Sequence, residues 1–171
     1  MADDTTQDAI ALLKADHRKV EDLFEQFEKA RGDGRKEKLA RQICMELTIH
    51  TELEEKIFYP ACEGKVEEDL LKESFVEHDA AKVLIAEIEF GNGQSDDYFD
   101  SKVKVLSEEI EHHVQEEEER GKGLFAQARK ADLDLDALGA QMAARKQELL
   151  KQYDASGLPQ PELTTMDEVQ I

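Results

Sequence analysis

The 171-residue sequence has no tryptophan, three prolines and two cysteines, and sets only 22 basic side chains against 41 acidic ones. Each shortage excludes something. Cys44 and Cys62, on one expected helix, stand roughly 27 Å apart at about 1.5 Å of rise per residue, beyond disulfide reach. Without a C-x-x-C pair they suggest neither a zinc finger nor a dithiol redox site, and they read as reduced bystanders. The formal charge of −19 repels nucleic acid and anionic membrane surfaces, so neither is expected as a partner. No apolar run approaches about 18 residues, so none is expected to span a bilayer. The opening stretch, Met1 to Gln7, is acidic and lacks the apolar core of a secretory leader. The expected location is the cytoplasm.

What is present is a Glu-, Lys-, Ala- and Leu-rich chain, 40% hydrophobic, which favours helices and is too apolar to be wholly disordered. Its length suits one domain with a real core. Gly- and Pro-bearing breaks at Arg31 to Gly34, Tyr59 to Gly64 and Gly91 to Ser95 divide the first 130 residues into helices near 7–31, 35–60, 66–90 and 96–130. A fifth helix is expected near 135–153, opened by the Asp132/Asp134 region. Residues 131–155 form this C-terminal segment, and 156–171, with Pro159 and Pro161, read as a disordered tail.

Each of the first four helices carries an apolar seam at 3-4 spacing. The seams are Ile10, Leu13, His17, Val20, Phe24, Phe27; then Ile43, Leu47, His50, Glu54, Ile57, Ala61; then Leu71, Phe75 or Ser74, His78, Ala81 or Lys82, Ile85, Ile88; then Val103, Leu106, Ile110, His113, Glu117, Leu124. Short loops between such seams specify an all-α, antiparallel up-down four-helix bundle. The seams place four histidines and two glutamates where core residues belong. In an antiparallel hairpin, residues equidistant from the turn lie side by side. The midpoints of His17–His50, His50–His78 and His78–His113 fall at 33.5, 64 and 95.5, each in or at the edge of a loop, so the four histidines share one level.

His50-x-x-x-Glu54 and His113-x-x-x-Glu117 put imidazole and carboxylate on one helix face, a turn apart. Burying an unpaired carboxylate costs several kcal/mol, and no inward arginine answers it. Imidazole and carboxylate are metal ligands, and a cation neutralises both glutamates. Six donors exceed one tetrahedral zinc. They suit two metals about 3.5 Å apart, with iron favoured and manganese second. An internal repeat agrees: the segment from Asp16 to Phe24 resembles Glu77 to Ile85 at an offset of 61, and His50 to Glu55 resembles His113 to Glu118 at 63.

The order His, His-x-x-x-Glu, His, His-x-x-x-Glu, with LLKADHRKVEDLF and HTELEEKIFYP, resembles the hemerythrin-like HHE cation-binding domain over about residues 7–130. The resemblance implies a non-haem di-iron centre, oxo- or hydroxo-bridged, on His17, His50, Glu54, His78, His113 and Glu117. It also implies binding or sensing of dioxygen, nitric oxide or peroxide, or a part in iron homeostasis. True hemerythrins carry a second histidine one turn after the third-helix one, where this chain has Lys82, and the family's proline after the fourth-helix motif is absent. The first departure leaves one iron a ligand short and weakens the case for reversible oxygen carriage. Three readings stay open: a small-oxidant binding or sensing module, a peroxide-decomposing enzyme, and an iron-holding structural bundle.

Around the six donors, Glu21 reads as solvated, or as an extra ligand or a support behind one, and His112 as a surface residue or a support behind the ligands. Glu55 and Glu116 to Glu119 read as a charged outer face. Tyr59 is expected to pack at the bundle end or to gate a metal site. Lys82 is expected to snorkel past Ala81 or to hold its charge near an open coordination position. The C-terminal helix has one apolar face, Leu138, Met142, Leu149 and Tyr153, which would cover the bundle or join two copies in a dimer.

Overall fold

The computed structural model describes residues 7–167; the acidic start at 1–6 and the last four tail positions lie outside the described residues. Helix α1 spans Ala9–Lys29 and is capped by Asp8, whose Oδ1 accepts from Ala11 N at 2.8 Å. Helix α2, Asp33–Leu53, continues through one π turn, Glu54–Phe58, into the short α3, Tyr59–Cys62. Helices α4, Glu68–Glu89, and α5, Phe99–Glu118, form the second hairpin. Helices α6, Leu124–Lys130, and α7, Leu135–Ser156, follow, with Asp134 capping α7 at Ala137 N. Among the described residues there is no strand. Helices α1, α2, α4 and α5 make the up-down bundle that the seams specify, and α7 lies against α1 and α2.

Two helix expectations change. The stretch expected as one helix over 96–130 breaks between Glu118 and Leu124, where Gly121 adopts φ +73, a conformation that glycine takes at little cost. The π turn inserts one extra residue into the second helix and advances its buried face. Phe58, Tyr59 and Cys62 are therefore buried, while the seam residues Ile57 and Ala61 are only half-buried. On α4 the alternatives resolve to Ser74 and Ala81 as the core-facing residues.

The apolar core is in two parts. One cluster joins Val20, Phe24, Leu47, Ile85, Leu106 and Ile110; the other joins Leu13, Leu53, Phe58, Leu124, Met142 and Tyr153. The histidine level separates them. The apolar face of α7 is spent on the second cluster, within the chain. Gly139 permits the close approach, because a Cβ there would lie 2.8 Å from Ala9 N. Cys44 and Cys62 are buried and unpaired. No helix among the described residues is long and apolar enough to cross a membrane.

The expected disordered tail is instead placed over 157–167, without helix, along the bundle. The reason is Asp79, a buried carboxylate on α4. Its Oδ2 accepts from Thr165 N at 2.6 Å, Thr165 Oγ1 at 2.8 Å and Met166 N at 2.9 Å, and its Oδ1 accepts from Thr164 N at 2.9 Å. Composition could not reveal a partner 85 residues away.

Candidate metal centre

Helical periodicity turns His17, His50, His78 and His113 inward, one from each of α1, α2, α4 and α5, and all four are buried with Glu54 and Glu117. The rings converge in pairs, one pair per hairpin. His17 and His50 bring their Nε2 atoms to 3.2 Å, as do His78 and His113. Glu54 Oε1 stands 2.9 Å from His50 Nε2 and 3.2 Å from His78 Nε2. Glu117 Oε1 stands 3.3 Å from His17 Nε2 and 3.2 Å from His113 Nε2. Each glutamate thus reaches one ring of each hairpin.

The donors form two compact groups, His17 with His50, Glu54 and Glu117, and Glu54 with His78 and His113. Within each group the ligand atoms lie within 4.8 Å of one another, and Glu54 is common to both. Both oxygens of Glu54 and Oε1 of Glu117 are buried without a hydrogen bond of good geometry, despite the ring nitrogens nearby. Acceptor lone pairs left free in a buried place suit a cation better than they suit packing.

The outward nitrogens are equally ordered. His17 Nδ1 donates to Glu118 Oε2 at 2.7 Å, His50 Nδ1 to Asp16 Oδ2 at 3.3 Å, His78 Nδ1 to Glu55 Oε2 at 3.1 Å and His113 Nδ1 to Glu77 Oε1 at 2.9 Å. A carboxylate only accepts, so a neutral ring keeps its proton on Nδ1 and turns the Nε2 lone pair inward. Behind each carboxylate stands a basic side chain: Arg18 on Glu118, Lys146 of α7 on Asp16 at 2.5 Å, Lys82 on Glu55 at 3.0 Å and His112 on Glu77 at 3.4 Å.

Comparison with known proteins now bears on this arrangement. Residues 8–128 match the family described as the hemerythrin HHE cation binding domain. The chain belongs to that family. A hemerythrin HHE cation-binding domain-containing protein of Mycobacterium kansasii has the same fold. The TM-score is 0.71 at 21% identity, over 89% of this chain and 95% of that one. A DNA nickase of Nostoc sp. strain PCC 7120 is 29% identical over 107 residues, 63% of this chain but 30% of that protein. The HHE chain spans under a third of the length of that relative.

The HHE domain therefore contains a buried His/Glu cluster whose donor atoms could hold a metal ion. Burial alone would push His50 down, but the charge of Glu54 beside it and the hydrogen bond to Asp16 hold it up at about 10. His113 is raised by Glu117 and His17 by its bonds to Glu117 and Glu118, both against burial. Burial opposes ionisation of Glu54 as well, yet His50, His113 and His78 hold it well below the usual carboxylate range. Protons on these rings thus supply the positive charge that the two glutamates need, and a bound cation would displace them.

Four side chains depart from their sequence readings. Glu55 and Glu118 are not merely part of a charged outer face, since each accepts from a buried histidine. Lys82 neither snorkels freely nor faces the ring nitrogens; its Nζ lies behind Glu55, between that carboxylate and Asp79 at 3.4 Å. Glu21 keeps the solvated one of its readings: it is exposed and pairs with Arg18 at 3.2 Å. Tyr59 lies inside the cluster. Its hydroxyl donates to Glu117 Oε2 at 2.9 Å and sits 3.3 and 3.4 Å from Nε2 of His78 and His113. Regular helix phase hides this position; the π turn exposes it, and a buried aromatic carrying a hydroxyl beside an HxxxE motif was the available signal. His112 is exposed, as expected, and with Glu77 and Glu116 makes a surface group of potential donors.

Proposed function

We propose that this chain is a non-haem di-iron protein that binds or senses a small oxidant such as dioxygen, nitric oxide or peroxide. His17, His50, Glu54, His78, His113 and Glu117 hold the two metals. The observation that carries this reading is the pairing of four Nε2 atoms across two glutamates, one of which belongs to both donor groups. Imidazole mixed with carboxylate favours iron, with manganese second. Bound iron would supply accessible redox chemistry and positions open to a small ligand.

The protein's own part is to set the size and polarity of the site. A cavity of about 20 Å³ adjoins the rings and is lined on its apolar side by Val20, Leu47, Ile110 and Val114. That is room for one water-sized molecule. Asp16, Glu55, Glu77 and Glu118 fix the ring orientations. Against burial, the histidines hold Asp16, Glu55 and Glu118 below the usual carboxylate range, and Lys146, Lys82 and Arg18 add to that pull. The hydroxyl of Tyr59 stands on the His78–His113 side, where the family's histidine at the position of Lys82 is missing. Burial, Glu117 and Glu54 push its pKa well up, so without a cation it stays protonated and donates to Glu117. A cation bound nearby would reverse the sign of that field, and the phenol oxygen would then be placed to serve as a further donor.

A second reading, peroxide decomposition, is favoured by the same hydroxyl, which can give and take a proton beside the ring nitrogens. The nicking activity in the name of the Nostoc relative is no part of either reading, because a charge of −19 opposes binding to phosphate chains.

Metal analysis of the purified chain, with optical spectra under anaerobic and aerobic conditions, tests the proposal. About two iron ions per chain and a spectrum that responds to oxygen are expected. Rapid oxygen evolution from added peroxide would select the enzyme reading. Absence of metal after iron reconstitution would overturn both.

A further inference from the structure

The internal repeat makes position 79 the counterpart of Arg18, and position 82 the counterpart of Glu21. On α1 the pair is Arg18–Glu21, with the cation on Glu118 and the leftover acid in solvent. On α4 the pair is inverted to Asp79–Lys82, at 3.4 Å. Lys82 still reaches its carboxylate, Glu55, but the leftover acid, Asp79, is now fully buried. A buried carboxylate needs donors, and one shared lysine is too few.

The tail supplies them. After α7 the chain runs back through Pro159 and Pro161, whose fixed φ narrows the paths open to a free segment. Thr164, Thr165 and Met166 then give Asp79 three backbone N–H bonds and one hydroxyl bond. Thr164 Oγ1 donates to Glu55 Oε1 at 2.6 Å, and Lys82 Nζ donates to Glu162 O at 2.9 Å. Glu55 is the carboxylate that holds His78 Nδ1. Between tail and bundle lies a chamber of about 450 Å³, lined by Thr51, Glu55, Lys82, Tyr153, Pro161 and Thr164.

We propose that residues 162–166 are a strap: clasped by Asp79 and Lys82, it fixes Glu55 on His78 and closes this flank of the metal centre, and its release opens the chamber. The proposal rests on the metal reading above. The twin flank, where Arg18 backs Glu118 and Glu21 faces solvent, needs no strap. Among the described residues, His78 alone of the four histidines is thereby tied to the tail beyond α7.

The test uses the full chain, iron-loaded and mixed with excess chelator, with amide exchange over 162–166 followed by mass spectrometry. Asp79→Asn weakens the clasp from the bundle, and Thr165→Pro removes two donors from the tail, far from the ligands. Each is expected to speed exchange in the strap and iron extraction about tenfold. Arg18→Gln should leave strap exchange unchanged. Faster exchange with unaltered extraction in Thr165→Pro would overturn the proposal, as would wild-type exchange at the rate of a free peptide. A chain that takes up no iron overturns the metal reading and this proposal with it; the exchange measurement still reports separately whether the strap docks.

Discussion

The two hairpins of this bundle supply the same donors and differ in what stands behind them. In each, an acid precedes the first histidine and receives the second: Asp16 takes His50, and Glu77 takes His113. In each, the residue after the inward glutamate takes the other hairpin's first histidine, Glu118 for His17 and Glu55 for His78. Beyond that layer the likeness ends. The first hairpin is covered by α7, which gives Lys146 to Asp16; the second has the exposed His112 behind Glu77. A π turn brings Tyr59 to stack on His78 at 5.4 Å, whereas a helix break brings Phe125 to stack on His17 at 5.7 Å. Repetition of a hairpin fixes the inner polar layer, because four rings at one level leave little freedom. The surroundings answer only to local burial, so they diverge.

This comparison can be broken where it is strongest. Glu54→Ala and Glu117→Ala should each lower metal affinity by more than about a hundredfold, measured by competition with a chelator of known affinity. A large loss in one and none in the other would end the equivalence of the two glutamates. Next in size, Asp16→Asn and Glu77→Gln should each weaken binding by roughly tenfold to a hundredfold. A markedly smaller effect at Glu77 would show that the uncovered flank contributes less.

The pH dependence is a further check. His50 and His113 have raised pKa values in the metal-free protein, so metal must displace protons held at neutral pH. Affinity should therefore rise with pH, continuing through about 10 for His50, with up to about tenfold per pH unit for each proton released. For the metal-free protein the sign is opposite: the paired, protonated His50 contributes stability fully below its ordinary 6.5, and that contribution is lost as pH rises through about 10. A flat metal affinity between neutral and alkaline pH would contradict this account. The smallest effect is expected from Tyr59→Phe, which makes the two aromatic positions alike. It should remove a visible phenolate-to-iron absorption band while changing affinity by less than about tenfold; a band that persists would exclude the phenol from the site.

Much of this was legible in the sequence. Seams at 3-4 spacing and loops centred between the histidines specify the bundle and the common level of His17, His50, His78 and His113, because helical rise converts spacing directly into height. The break before Leu124 and the π turn were not legible, since each depends on a single local residue count against a packed neighbour. Tyr59 entered the cluster through that turn. Glu55 and Glu118 looked like surface acids because their acceptors' role lies across the bundle, on rings from other helices.

The sequence by itself therefore determined the all-helical class, the convergence of six metal-type donors and the twofold repetition behind it. These follow from periodicity and from the cost of burying charge, both readable one helix at a time. Only the tertiary structure decided what orients those donors: the carboxylate on each ring, the basic side chain behind each carboxylate, the phenol of Tyr59 and the tail on Asp79. Such contacts join residues tens of positions apart, and they form because a buried polar group takes the nearest partner in space, whatever its distance along the chain.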